Sequence, residues 1–160
     1  MKTNELFEIA LRFREAIEEI VRAGEIREIC GFPTGCCVIA SDLLQRYLIE
    51  QGVFTWYVSG KYGYGWDNGE SHAWLETQDG IVIDITGDQY KYKKLRFTKP
   101  VYVGPRNDGF HEKFVLAKPV AYYRDNDPLV TFRKQDVWYD IVIRHMKGCK
   151  YKDLARKLCD

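Results

Sequence analysis

Ser71-His72-Ala73-Trp74-Leu75-Glu76-Thr77-Gln78-Asp79-Gly80-Ile81-Val82-Ile83-Asp84-Ile85-Thr86 is the stretch whose pairing decides the fold. Two runs rich in β-branched and aromatic residues flank Gln78-Asp79-Gly80, which reads as a hairpin turn between strands 71–77 and 81–86. If Thr77 pairs with Ile81 across that three-residue loop, residues of one parity share one face. Ala73, Leu75, Ile81, Ile83 and Ile85 then form an almost purely apolar side fit for a core. His72, Trp74, Val82, Asp84 and Thr86 form the other, with His72 and Asp84 as diagonal neighbours within hydrogen-bond reach. A two-residue loop would part His72 from Asp84 and expose some of the isoleucines, so the apolar pattern selects the first register.

Upstream of the hairpin, residues 4–23 carry the stripe Leu6, Ala10, Phe13, Ile17, Ile20 and Val21, which predicts an amphipathic helix. Thr3 or Asn4 can cap its start and Gly24 can end it. Cys30, in the link that follows, reads as a small buried hydrophobe. Phe32-Pro33-Thr34-Gly35-Cys36-Cys37 then leads into a second helix. Its apolar positions are Ala40, Leu43, Leu44, Tyr47 and Leu48, with Asp42, Gln45, Arg46 and Glu50 on the other side and Gly52 as the stop. Phe54–Ser59 reads as a strand, and Lys61–Glu70 as a mobile loop rich in glycine and aromatics. Beyond the hairpin, Val101–Gly104 is an expected strand. Phe114–Ala117 and Val120–Tyr123 are strands or irregular. Residues 134–147 suggest a helix with Val137, Ile141 and Ile143 apolar, and residues 151–158 a last short one. His145 falls there as a surface residue. The order of two helices, a strand meander and a mixed tail predicts an α+β class, with N-terminal helices packed on an antiparallel sheet.

Two thiols at a helix start are placed where unpaired backbone N–H groups and the helix dipole favour an anion. A cysteine there has its pKa lowered, and the thiolate is the nucleophile. The same N–H groups, that of Cys37 first among them, suit an oxyanion. An imidazole on a strand can take the thiol proton and return it to a leaving group, and a carboxylate on the next strand fixes the imidazole tautomer. Cys37, His72 and Asp84 supply these parts in chain order.

Length and composition set the bounds. The 160 residues suit one domain spanning 1–160, and 46% apolar with 14% aromatic content fits an ordered globular chain. A net charge of +1 argues against a general polyanion binder, so no nucleic-acid partner is expected, and the basic runs 91–99 and 144–157 read as solvated faces. Five cysteines form no regular disulfide framework, and neighbours cannot bridge without strain. Residues 1–5 lack the apolar core of a signal peptide, and no run approaches membrane-spanning length. A reducing, cytoplasmic setting with free thiols is expected.

Gly35-Cys36-Cys37, Ser41, Leu43-Leu44, Gly52, Ser71-His72-Ala73-Trp74-Leu75-Glu76 and Ile83-Asp84-Ile85-Thr86 together resemble the transglutaminase-like family of cysteine enzymes, whose core fold is similar to papain. A group of small bacterial proteins in that family is more similar still. Its Asp-Ile-Thr-x-Asp-Gln-aromatic run and later aromatic-His segment are matched by Asp84–Tyr90 and by Phe110-His111. The motifs cover about residues 33 to 112. The resemblance implies a transglutaminase-like or papain-like core, Cys37 rather than Cys36 as nucleophile with Ser41 in the small-residue slot, and a Cys-His-Asp triad working through an acyl-enzyme. A hydrolase, such as a cysteine protease, or an acyltransferase acting on an amide of a peptide or a glutamine side chain is the expected activity, with no cofactor.

Four further residues are candidate substrate contacts: Trp74, turned by parity toward the face of His72; Gln89; and Tyr64 and Trp66, in a loop that can act as a lid. Rival readings are a catalytically inactive binding module on the same fold and an acyltransferase similar to the arylamine N-acetyltransferases. A metal site on Cys36, Cys37 and His72 is disfavoured, because adjacent cysteines lack zinc-ligand spacing.

Overall fold

The computed structural model describes residues 1–63, 69–121 and 135–148. Within them the chain is mixed α+β, with three helices, α1 (Thr3–Ala23), α2 (Cys37–Glu50) and α3 (135–148), and an antiparallel five-stranded sheet. The strands are β1 (Thr55–Tyr62), β2 (Glu70–Thr77), β3 (Ile81–Asp84), β4 (Tyr102–Pro105) and β5 (Val115–Leu116), in spatial order β4-β3-β2-β1-β5. Among the described residues no helix is long and apolar enough to cross a membrane. Residues 151–158, expected to be helical, lie outside the described residues, as do Tyr122 and Tyr123.

The β2–β3 hairpin has the register that its apolar parity requires, with Leu75 opposite Ile83 and Glu76 opposite Val82. One face buries Ala73, Leu75, Ile83 and Ile85 against Phe13, Ile17 and Ile20 of α1 and Leu43, Leu44 and Leu48 of α2. Each large side chain buried there contributes about 1.5–3 kcal/mol. The opposite face is not open: Val58, Trp74 and Val82 meet Tyr90, Phe97, Phe110 and Phe114 in a second, aromatic core.

Several local expectations are corrected. Helix α1 begins one residue early, with Lys2 at the cap and its N–H donating to Glu5 Oε2 (2.8 Å), so neither Thr3 nor Asn4 is the cap. Gly24 does end it, in the left-handed region at φ 67°. Cys30 is exposed, because Ile26 and Ile29 turn inward in its place. In α2 the polar Asp42 and Gln45 are buried, and the Gln45 amide donates to the Thr55 carbonyl (2.9 Å). The buried face of α3 carries Trp138, Val142 and Met146, spaced by four, with Gln135 and Tyr139 beside them, while Val137 is 59% exposed. His145 is no free surface group: its Nδ1 and Nε2 lie 3.0 and 2.7 Å from Glu19 and Glu25, tying α3 to the end of α1.

Candidate active site

The first turn of α2 sets Cys37 at the sheet. The turn before it runs through Gly35 (φ 69°), a conformation that a side chain would strain, and Cys36 takes the helix cap. The two thiols part here. Cys36 points inward, 2% exposed, and its Sγ donates to the Thr34 carbonyl (3.3 Å). Burial pushes its pKa up to about 11, with the neighbouring Cys37 and Cys30 adding to the rise. Cys37 sits at the rim, 9% exposed. Burial pushes its thiol up as well, but hydrogen bonding to His72 and its charge, with contacts to the Ala73 backbone and the Gln89 amide, carry it below the ordinary thiol value.

His72 stands on β2 between that thiol and Asp84. Its Nε2–H donates to Asp84 Oδ2 (2.7 Å), which leaves Nδ1 as the nitrogen available to Cys37. Burial opposes charge on the ring, but the Asp84 carboxylate and the Cys37 thiolate overcome it, and the imidazole is pushed up to about 9. A lowered thiol beside a raised imidazole favours the thiolate–imidazolium pair. Trp74, Tyr90, Phe110 and Phe114 pack around the ring at centroid distances of 5.3 to 5.9 Å.

Asp84 closes β3. Its Oδ1 accepts from the Thr86 N–H (2.9 Å) and hydroxyl (3.3 Å), which explains the Asp-x-Thr spacing. Its Oδ2 accepts from two imidazoles: His72, and His111 Nε2–H at 2.9 Å. The carboxyl is fully buried, which opposes ionisation, yet these donors hold it well below the usual carboxylate range. The other ring nitrogen of His111, Nδ1, lies 2.5 Å from Asp108 Oδ2, and the ring stacks on Tyr102.

His72, Asp84 and His111 offer three ligand atoms within 4.8 Å of one another. Ligands on a tetrahedral ion at about 2.0–2.1 Å stand roughly 3.3 Å apart. The 2.7 and 2.9 Å spacings here are those of hydrogen bonds instead.

Gln89, on the short 3₁₀ turn Gly87–Tyr90, reaches into the site. Its Nε2 lies 2.9 Å from His72 Nδ1, and its Oε1 accepts from the Gly35 N–H (3.3 Å). The turn is anchored by the neighbouring Asp88, which takes a two-pronged ion pair from buried Arg14 of α1 (2.6 and 2.8 Å). Arg14 also donates to the carbonyls of Ile85 and Pro100.

A groove of about 370 Å³ opens beside Cys37 and His72, lined by Val38, Ser59, Val115 and Leu116. A larger hollow of about 770 Å³ lies between the start of α1 and the β2–β3 turn, and no member of the Cys-His-Asp set lines it.

The structure thus brings Cys37, His72, Asp84 and Gln89 together. Trp74 does not line the groove as a substrate contact: it is fully buried behind His72, its indole N–H donating to Glu76 Oε1 (2.9 Å). Parity did turn it to the face of His72, but that face is roofed by the second core. Tyr64 and Trp66, with the centre of the expected lid, lie outside the described residues. His111, Asp108 and Arg14 are additions that sequence reasoning did not place at the site. The Phe110-His111 segment was a signal for the first, but its position depends on an irregular stretch with no periodicity to read. No protein-family model, curated protein or solved structure matches the chain.

Proposed function

We propose that this protein is a cysteine-nucleophile acyl-enzyme catalyst, a hydrolase or acyltransferase acting on an amide of a peptide or glutamine side chain, with a transglutaminase-like core. One observation carries the reading: a thiol on the first turn of α2, lining the groove, meets an imidazole whose far nitrogen is tied to a buried carboxylate. The groove beside that thiol, about 370 Å³, falls in the size range of small-ligand sites.

In this reading the Cys37 thiolate attacks the carbonyl carbon and the C=O electrons move onto oxygen. The resulting oxyanion is held by the Cys37 backbone N–H at the helix start, with the Gln89 amide as a second donor. His72 Nδ1–H passes its proton to the leaving nitrogen as the C–N bond breaks, leaving a thioester on Cys37. Water or an amine then gives its proton to His72 and attacks the thioester, and the thiolate departs. Asp84 keeps the ring in the tautomer that presents Nδ1 and stabilises its charged form. Free thiols Cys30, Cys36 and Cys37 suit a reducing, cytoplasmic compartment.

The test is intact-mass analysis after incubation with iodoacetamide at mildly acidic pH, where an ordinary thiol with pKa about 8.5 reacts slowly. A single label that Cys37→Ala removes and Cys36→Ala leaves is the expected result. Incubation with peptide and acyl-coenzyme A donors follows, and a thioester adduct on Cys37 identifies the acyl class. A protein labelled no faster than a free thiol, with no adduct, rules the reading out.

A further inference from the structure

Asp84 Oδ2 is a shared acceptor. It lies 2.7 Å from His72 Nε2 and 2.9 Å from His111 Nε2, and the second imidazole is held from behind by Asp108. All three ring and carboxyl partners at the centre are at most 1% exposed, so water does not compete for these contacts. We propose that His111, anchored by Asp108, is a positioning residue that divides the hydrogen-bonding capacity of Asp84 Oδ2 and so moderates the hold of that carboxylate on His72. The proposal rests on the acyl-enzyme reading for its consequence in catalysis, but its physical content concerns the two histidines and can be measured without turnover.

The packing supports a set position rather than an incidental contact. Tyr102 stacks on the His111 ring at 5.2 Å, and Trp74 meets it edge-on at 4.9 Å. Asp108 Oδ1 accepts from the backbone N–H groups of Phe110 and His111 (3.0 and 2.8 Å), so the carboxylate that grips the ring also shapes the turn carrying it. A carboxylate oxygen that accepts from two donors gives less to each than one devoted to a single donor. The titratable groups facing His72 are Cys37 from α2, Asp84 from β3, Tyr90 from the 3₁₀ turn and His111 with Asp108 behind it. Glu76, on β2 itself, is occupied by Trp74 and Arg106. Of these only His111 and Asp108 act on His72 through Asp84.

The chain has three histidines, so their Cε1–H resonances are assignable by substitution. Proton NMR titration is carried out on the full chain bearing Cys37→Ala, so that the midpoint belongs to the imidazole and not to a coupled thiol. His111→Phe, which removes the competing donor, is expected to raise the His72 midpoint by about one pH unit. Asp108→Asn, which leaves the ring in place, moves it the same way by a smaller step. His111→Gln, whose amide can still donate to Asp84, stays near the parent value. If His111→Phe does not fold, the Asp108→Asn and His111→Gln pair decides. A midpoint unmoved in His111→Phe, or in Asp108→Asn where His111→Phe does not fold, overturns the proposal, and so does His111→Gln shifting as far as either, which would mark His111 as packing alone. Failure of Cys37 labelling in the unmodified protein would instead strike the acyl-enzyme reading and leave this comparison standing.

Discussion

Gln89 Nε2 lies 2.9 Å from His72 Nδ1, on the ring nitrogen that the Cys37 thiol also needs. An amide N–H donates to that nitrogen only while the ring is neutral there. Once Nδ1 is protonated it donates to the thiolate, and the Gln89 amide is released to donate elsewhere, to sulfur or to a substrate oxygen. Amide and thiol therefore exchange places on one nitrogen as the pair ionises.

Replacing Gln89 by Ala separates the two roles. Labelling of Cys37 by iodoacetamide needs only the thiolate, so its rate should stay within a few-fold of the parent. On the acyl-enzyme reading, turnover of an amide substrate uses the Gln89 amide as oxyanion donor, and kcat should fall by roughly 10²–10³. Equal falls in both assays would show that Gln89 holds the site together and does not meet the substrate.

Asp84→Asn tests the carboxylate. The amide can still accept from Thr86 but no longer charges His72, and one of its faces is now a donor. Turnover should drop by roughly 10³–10⁴, and labelling of Cys37 at mildly acidic pH should be lost with it. A near-ultraviolet circular dichroism spectrum matching the parent confirms that the loss is not unfolding.

Arg14 joins α1 to the turn that carries Gln89, through Asp88 and two backbone carbonyls. Arg14→Met keeps the stem of the side chain but strands Asp88 and those carbonyls. Urea unfolding should show a loss of about 3–5 kcal/mol, the range for breaking a buried ion pair from one side. A loss below about 1 kcal/mol would class the pair with exposed surface bridges.

Gly87 is a matter of space. A Cβ there would stand 2.7 Å from the Phe97 ring and 2.9 Å from Asp84 Oδ2, closer than real contacts allow. Gly87→Ala should cost about 1–3 kcal/mol in urea unfolding, as overpacked cores do. It should also slow turnover, because the atom displaced is the oxygen that His72 and His111 share.

His145 gives a pH dependence of stability. Burial is the largest single influence and disfavours its charge, but hydrogen bonds and charge from Glu19 and Glu25 together outweigh it and raise its pKa above the ordinary value. A group raised on folding stabilises fully below its unfolded pKa, about 6.5, and that contribution is lost as pH rises through the folded value. The Tm difference between the parent and His145→Gln should therefore be largest near pH 5 and shrink on the alkaline side. A difference constant across that range would mean that the imidazolium contributes nothing.

Period and parity carried much of the architecture. The alternation in Ser71–Thr86 was enough to set the hairpin register, because a slip by one residue would have turned Ile81, Ile83 and Ile85 outward, and that register alone made His72 and Asp84 neighbours. Helices α1 and α2 were legible in their apolar stripes, and with α2 came the place of Cys37 at a helix start. What sequence could not determine depends on segments without a period. Phe97, Phe110 and Phe114 lie in irregular chain and His111 on a single 3₁₀ turn, yet they roof the second face of the sheet, bury Trp74 and set a second imidazole on Asp84. Gln89 and Arg14 were likewise decided by tertiary contact: the partners of Gln89 are 17 and 54 positions away, and Arg14 meets Asp88 across 74. Local sequence encodes which side of an element is apolar; which distant polar group meets it is a property of the folded chain alone.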